Sequence, residues 1–347
     1  DPMTPGKGAA IFGCDGLDLG RDEAAFFRDY DPFGFILFAR NVESPSQLRR
    51  LTAELRAAVG REAPVFVDQE GGRVQRLRAP HWREWLPPLG MVALARAGSS
   101  PARQDEAAER AMWLRYRIIA AELRAAGIDG NCAPCLDLAG PVTHPFLKNR
   151  CYGTDAASVA RLGRAAANGH LAGGVLPVMK HMPGHGRANA DTHHDLPTVD
   201  APAGELLATD FAAFTALRDL PLAMTAHIVF SAYDDRPATA SARMVQVMRD
   251  DIGFAGLLMT DDLAMNALPG SKAQRAAAAM AAGCDLVLEC NGDLADRIAV
   301  AAAAGAMGPA SLSRARAALA ARHDPAPVDI LALESELSGL LDGQGYV

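Results

Sequence analysis

The chain has 347 residues, 50% of them hydrophobic and 22% charged, with a net charge of −7. This is a soluble globular composition, and the acidic balance without a basic run argues against a nucleic-acid partner. Six cysteines, most in or beside apolar runs, read as reduced thiols of a cytoplasmic protein, and no uninterrupted apolar stretch is long enough to predict a membrane span.

Asp1 and Pro2 precede Met3 and read as an expression scar. The opening "DPMTPGKGAAIFG" has no apolar signal core, so no secretory leader is expected. Short apolar runs then alternate with alanine-rich helical segments. The predicted strands are 9–14, 34–39, 64–68, 128–134, 175–180, 222–228, 256–261 and 284–289. Near-continuous apolar strands of this kind suit a parallel sheet covered on both faces. Between them, Ser44 and Pro45 open a helix that Gly60 stops; Ser100 and Pro101 open one that Gly127 stops; Thr154 opens one that ends at Gly173 and Gly174. The segment from about residue 324 to 347 reads as a final peripheral helix with a loose end.

Eight strands alternating with helices predict an α/β fold, a single (β/α)8 TIM-type barrel over residues 3–347, with a doubly wound open sheet as the alternative. A barrel enzyme keeps its chemistry at the C-terminal ends of its strands. The polar clusters fall there: "DQEGGRVQR" after strand 3, Asp137 and "KNRCYG" after strand 4, "KHMPGHGRANADTHHDLP" after strand 5, His227 on strand 6, "TDD" on strand 7 and "ECNGD" after strand 8.

Two of these clusters leave choices open. Asp261 and Asp262 are adjacent, so one should face the barrel mouth and the other away, and either could instead cap a helix over "LAMNAL". The loop after strand 5 admits three readings: a metal site from His181, His185, His193 and His194; an acid/base dyad in which Asp191 tunes His193; or a solvated loop. The histidines are not at i, i+4 on a helix, and the motif H-E-x-x-H is absent, which favours the dyad. Cys132 and Cys135 form a C-x-x-C with no second pair, and read as structural thiols.

The motifs "DQEGGRVQRL", "NCAPCLDL", "KHMPGHG…ADTHHDLP", "MTAHIVF", "MTDDLAMNAL" and "AGCDLVLECN", in this order from about residue 9 to 292, resemble glycoside hydrolase family 3, and within it the bacterial single-domain β-N-acetylglucosaminidases. The resemblance implies a retaining mechanism with Asp261 as nucleophile and His193, held by Asp191, as acid/base. It implies sugar contacts from Asp68, Arg76, Arg150, Lys180 and His181, with no cofactor and no metal. The implied substrate is a muropeptide fragment, GlcNAc linked to 1,6-anhydro-MurNAc with or without peptide, cleaved by a monomeric cytoplasmic enzyme of peptidoglycan recycling. Met182 and Ala264 stand where the family has phenylalanine and serine, and neither removes a catalytic group. The rivals are a phosphorylase built on the same dyad, a silent sugar-binding protein and a metal-dependent hydrolase. Sugar 1-phosphate formation, loss of turnover and a chelator distinguish them.

Overall fold

The computed structural model describes residues 1–189, 195–265 and 268–342. Eight parallel strands form its centre: β1 (Gly8–Phe12), β2 (Pro32–Leu37), β3 (Val65–Val67), β4 (Gly130–Asn131), β5 (Leu176–Met182), β6 (Leu222–Thr225), β7 (Leu257–Asp262) and β8 (Leu286–Glu289). Each pairs with its neighbours in sequence, and β1 also pairs with β8 through Ala10–Val287, Ile11–Leu288 and Phe12–Glu289. That pairing closes the sheet into a barrel and excludes the open doubly wound alternative.

Five of the strands are shorter than their predicted runs, while β2 and β7 keep the predicted length and β5 exceeds it. The extreme case is β4, predicted over seven residues and paired over two. Pro134 has no N–H to give a ladder, and beyond Asn131 regular pairing gives way to single bonds to β5, such as Val178 N–H to the Ala133 carbonyl, and a bridge at Cys135–Lys180. Gly130 is required here. A Cβ at this position would lie 2.3 Å from the Phe66 ring, which fills the barrel next to it.

Helices cover the outside. Ser44 accepts from the Gln47 amide to start Pro45–Val59, and Gly60 ends it at φ +66°, as the sequence predicts. Two predicted starts move. Ser100 makes no side-chain cap; a 3-10 turn over Pro101–Arg103 comes first, and the helix runs Gln104–Ala125. The cap of Ala156–Ala172 is Asp155 rather than Thr154, because the Asp155 carboxylate reaches the Ser158 amide at 2.9 Å. The predicted last helix is Ile330–Leu340, which packs on Gln104–Ala125. No helix among the described residues is long and apolar enough to cross a membrane.

Most of the core is aliphatic, with one aromatic knot at the start of the barrel. Phe12 touches Phe26, Phe27 and Tyr30, and Phe27 meets Phe35 edge-on at 4.9 Å. All six cysteines are buried and free. The lower rim holds ion pairs that no sequence pattern signals. Asp129 binds the Val65 amide and the guanidinium groups of Arg56 and Arg322, and Asp285 binds Arg249 and Arg314. They join this end of the barrel to the helices packed around it, and leave the upper rim to carry the site.

Candidate active site

The upper rim encloses a cavity of about 310 Å³, at the small end of the range for small-molecule pockets. Four strand ends supply the groups of interest. Asp68 follows β3, Arg150 comes from the loop after β4, and Lys180 and His181 lie on β5. Asp261 ends β7, and Arg76 lies on the return from the ribbon after β3. The sequence separates Asp68 from Lys180 by more than a hundred residues. In the fold the Lys180 ammonium is 3.3 Å from one Asp68 oxygen, and Arg76 is 3.4 Å from the other. All five expected sugar contacts and Asp261 therefore line one cavity.

Behind this front row stands Glu70, which sequence reasoning passed over. Its carboxylate is buried and takes both nitrogens of the Arg150 fork, at 2.7 and 3.0 Å. The same carboxylate lies 2.6 Å from the Lys180 ammonium. Burial pushes the Glu70 carboxyl up, but the charges of Arg150 and Lys180 overcome it and hold the group far below its ordinary value of 4.5. Removing this carboxylate leaves two buried cations facing each other. Glu70→Ala should cost about 3–5 kcal/mol of stability, read as a fall in melting temperature, with the isosteric Glu70→Gln milder. Because the native value is depressed, the wild-type advantage over Glu70→Gln should be full above the ordinary value and shrink as pH falls through the acid range. An unchanged gap from pH 7 to pH 3 would refute the ion-pair account.

Asp261 and Asp262 both border the cavity, against the one-in, one-out expectation, and they differ in what they touch. The Asp261 carboxylate faces the cavity, accepts the Asp262 amide at 2.8 Å and lies 4.0 Å from His181 Nε2. Burial pushes Asp261 up, yet the charges of His181, His227 and Lys180 and that backbone bond bring it below the usual value. An ionised, oriented carboxylate is what a nucleophile needs. Asp262 leans toward the β8 loop, where the Cys290 amide and the Asn291 side chain reach it at 3.4 and 3.3 Å. Burial first, with the negative charges of Glu289 and Asp261 adding to it, raises the Asp262 carboxyl to about 6. Its bond to the Ala264 amide closes a turn and starts no helix among the described residues, so the capping alternative does not hold there.

The loop after β5 is described as far as Asn189 and again from Asp195. Asp191 and His193, the expected acid/base dyad, lie outside the described residues, as does His194. Of the histidine set considered for metal, His181 and His185 are seen. They stack edge to face at 5.6 Å, and burial lowers His185 to about 4, which keeps it neutral. His181 Nδ1 bonds Asp137 Oδ2 at 2.7 Å, and Cys135 Sγ sits 3.4 Å from the same oxygen. These three could form a compact ligand trio. The short imidazole–carboxylate bond already accounts for the arrangement.

A family model described as the glycosyl hydrolase family 3 N-terminal domain matches residues 17–321. The chain belongs to glycoside hydrolase family 3. Within the family, it is 37% identical over 302 residues to a protein of Bordetella pertussis named beta-hexosaminidase, covering 86% of this chain and 84% of that one. It superposes on NagZ from Neisseria gonorrhoeae, solved in complex with N-trifluoroacetyl-D-glucosamine. That TM-score is 0.80 at 31% identity, over 98% of this chain and 96% of the other. A family 3 β-N-acetylglucosaminidase from Paenibacillus gives 0.77 at 31% identity; the match spans all of this chain and 63% of that longer protein. This family 3 chain is therefore a glycoside hydrolase on a (β/α)8 barrel.

Proposed function

We propose that the chain is a single-domain, exo-acting, retaining β-N-acetylglucosaminidase. It would remove GlcNAc from peptidoglycan fragments, GlcNAc-1,6-anhydro-MurNAc with or without peptide, in the cytoplasm, as a monomer and without cofactor. One observation carries this reading. The cavity holding Asp261 is small and walled by Asp68, Arg76, Arg150, Lys180 and His181, the size and polarity suited to one terminal sugar ring rather than a long glycan. The relatives' name, beta-hexosaminidase, and the N-acylated glucosamine bound by the Neisseria protein support a 2-acylamino sugar in that cavity.

In this mechanism Asp261 attacks the anomeric carbon. His193 protonates the departing glycosidic oxygen, and the C–O bond breaks to leave a covalent glycosyl-enzyme. His193, oriented by Asp191, then takes a proton from water, which displaces Asp261 and restores the configuration. Asp68 and Lys180 would hold ring hydroxyls as an acceptor and a donor side by side, with Arg76 and Arg150 completing the wall. A histidine in place of a second carboxyl keeps one negative charge away from Asp261.

Hydrolysis of 4-nitrophenyl sugars tests the reading. The N-acetyl-β-glucosaminide should be cleaved about 100-fold or more faster, in kcat/KM, than the β-glucoside, since a site built to bond the acetamido group is left unpaired without it. The N-acetyl-β-galactosaminide should also lag. The product in phosphate buffer should be free GlcNAc. Preference for the glucoside would overturn the substrate, and a sugar 1-phosphate would overturn hydrolysis.

A further inference from the structure

Asp137 lies just past β4, fully buried, and none of the contacts foreseen from the sequence explains it. Its Oδ1 accepts the backbone amides of His181 and His185 at 3.2 and 2.8 Å. Its Oδ2 takes His181 Nδ1 at 2.7 Å and faces the Cys135 thiol at 3.4 Å. One carboxylate thus holds both the backbone turn after β5 and the ring on it.

The His181 ring has no freedom left at Nδ1. An ionised carboxylate only accepts, so Nδ1 must carry a hydrogen. The opposite nitrogen, Nε2, lies 4.0 Å from the Asp261 carboxylate and borders the cavity. A neutral ring with its one hydrogen on Nδ1 would turn a lone pair toward Asp261, acceptor against acceptor. A ring protonated at both nitrogens turns an N–H toward each carboxylate, bonded to Asp137 and 4.0 Å from Asp261. The groups facing Asp261 are His181, His227, Lys180 and its neighbour Asp262. Those facing Asp137 are His181, His185, Cys135 and, further off, Arg150. Lys180 is already engaged by Glu70 and Asp68, and burial keeps His185 and His227 toward the neutral form, which leaves the His181 ring, 4.0 Å away, as the group whose charge bears on the nucleophile.

We propose that Asp137 is a positioning residue for this reaction. It holds His181 as a doubly protonated ring whose Nε2–H faces Asp261 and the sugar, and so keeps the nucleophile ionised in the free enzyme. The inference rests on the reading of Asp261 as nucleophile. The direction of charge effects agrees with it. Burial raises the Asp137 carboxyl, but His181, His185 and the backbone bonds bring it down to about 2, so it stays ionised across the working range.

Asp137→Asn separates charge from shape. The two backbone amides keep the amide oxygen, which leaves the amide NH2 facing His181 Nδ1. That nitrogen must then accept, and the ring becomes neutral with its hydrogen on Nε2. The donor toward the sugar survives and the positive charge does not. KM for the 4-nitrophenyl N-acetylglucosaminide should therefore change little, and kcat/KM should fall. The acid limb of its pH profile should move up by about one unit as Asp261 becomes harder to ionise. A purely structural role would lower the melting temperature and leave that limb in place, and an unmoved limb overturns the proposal.

If Asp137→Asn does not fold, wild-type enzyme labelled with 15N-histidine carries the test. At the pH of maximal activity both ring nitrogens of His181, assigned by their loss in His181→Gln, should bear protons; a single protonated nitrogen overturns the proposal. Should the wild type cleave a different aryl glycoside, the substrate reading fails, and the pH limb measured on that glycoside still decides the role of Asp137.

Discussion

Asp261→Ala is expected to abolish turnover, lowering kcat on the order of 10⁴-fold or more, because it removes the proposed nucleophile. The fold should survive the change. The Asp261 carboxylate accepts one backbone amide and otherwise faces the cavity, so its removal leaves no buried cation unpaired beyond those that Glu70, Asp68 and Asp137 already hold. The melting temperature should therefore stay within a few degrees of wild type. A 2-fluoro sugar with a good leaving group should trap the covalent intermediate, and peptide mapping should find the label on Asp261. Label on Asp262 would reverse the assignment of the pair. No label, with inversion at the anomeric carbon, would remove the double-displacement mechanism altogether.

The second large effect concerns His193. His193→Ala should depress cleavage of the natural disaccharide linkage by about 10²–10⁴-fold, since a sugar oxygen leaves only with a proton. Formation of the glycosyl-enzyme from a 2,4-dinitrophenyl glycoside should suffer far less, because that phenolate departs unaided. Pre-steady-state release of dinitrophenol isolates this step from the slowed hydrolysis of the intermediate. Asp191→Ala should repeat the pattern more weakly, as it acts by orienting the ring. Equal losses on both substrates at the first step would make His193 a binding residue and return the acid/base role to another group.

Much of this was legible in the chain itself, for identifiable reasons. The barrel showed because most of the buried strands are runs of apolar residues with no polar face to confuse the period, as in "GFILFA" and "GLLMTD"; "IDGNCAP" was the weakest of them. The active end showed because polar residues gather at one terminus of those runs. The strand period suggested that only one of Asp261 and Asp262 would look inward, yet both border the cavity; what distinguishes them is their partners, His181 beside Asp261 and the Cys290 amide and Asn291 side chain on Asp262. Glu70, and the part played by Asp137, which the sequence placed at the active end without a role, were hidden for a different reason. Each is an acid beside a more conspicuous motif, and each matters through partners 80 and 44 residues away, Arg150 and His181. The one clue was that "DQEGG" and "CLDL" place a carboxylate next to apolar strand ends, where an acid without a cation would be costly. A helix start such as Thr154 against Asp155 was misplaced by one residue because both side chains can cap, and only the geometry of the Ser158 amide chooses.

The pairing of β1 with β8 has a consequence for how the chain is made. Synthesis on the ribosome releases β1 first, and its hydrogen-bonding partner Leu286–Glu289 emerges only after most of the polypeptide has been made. Until then the nascent sheet has an open margin along Gly8–Phe12, an apolar strand with no charge or proline of its own to discourage pairing with another molecule. The groups that seal the seam come equally late. Arg40 reaches the Cys290 carbonyl and Asn291, and the buried Arg297 clasps Asp15 and Glu23. Contacts this distant in sequence form slowly. The growing chain is therefore exposed to aggregation until Leu286–Glu289 has emerged, and a ribosome stalled short of residue 286 holds a sheet that cannot close.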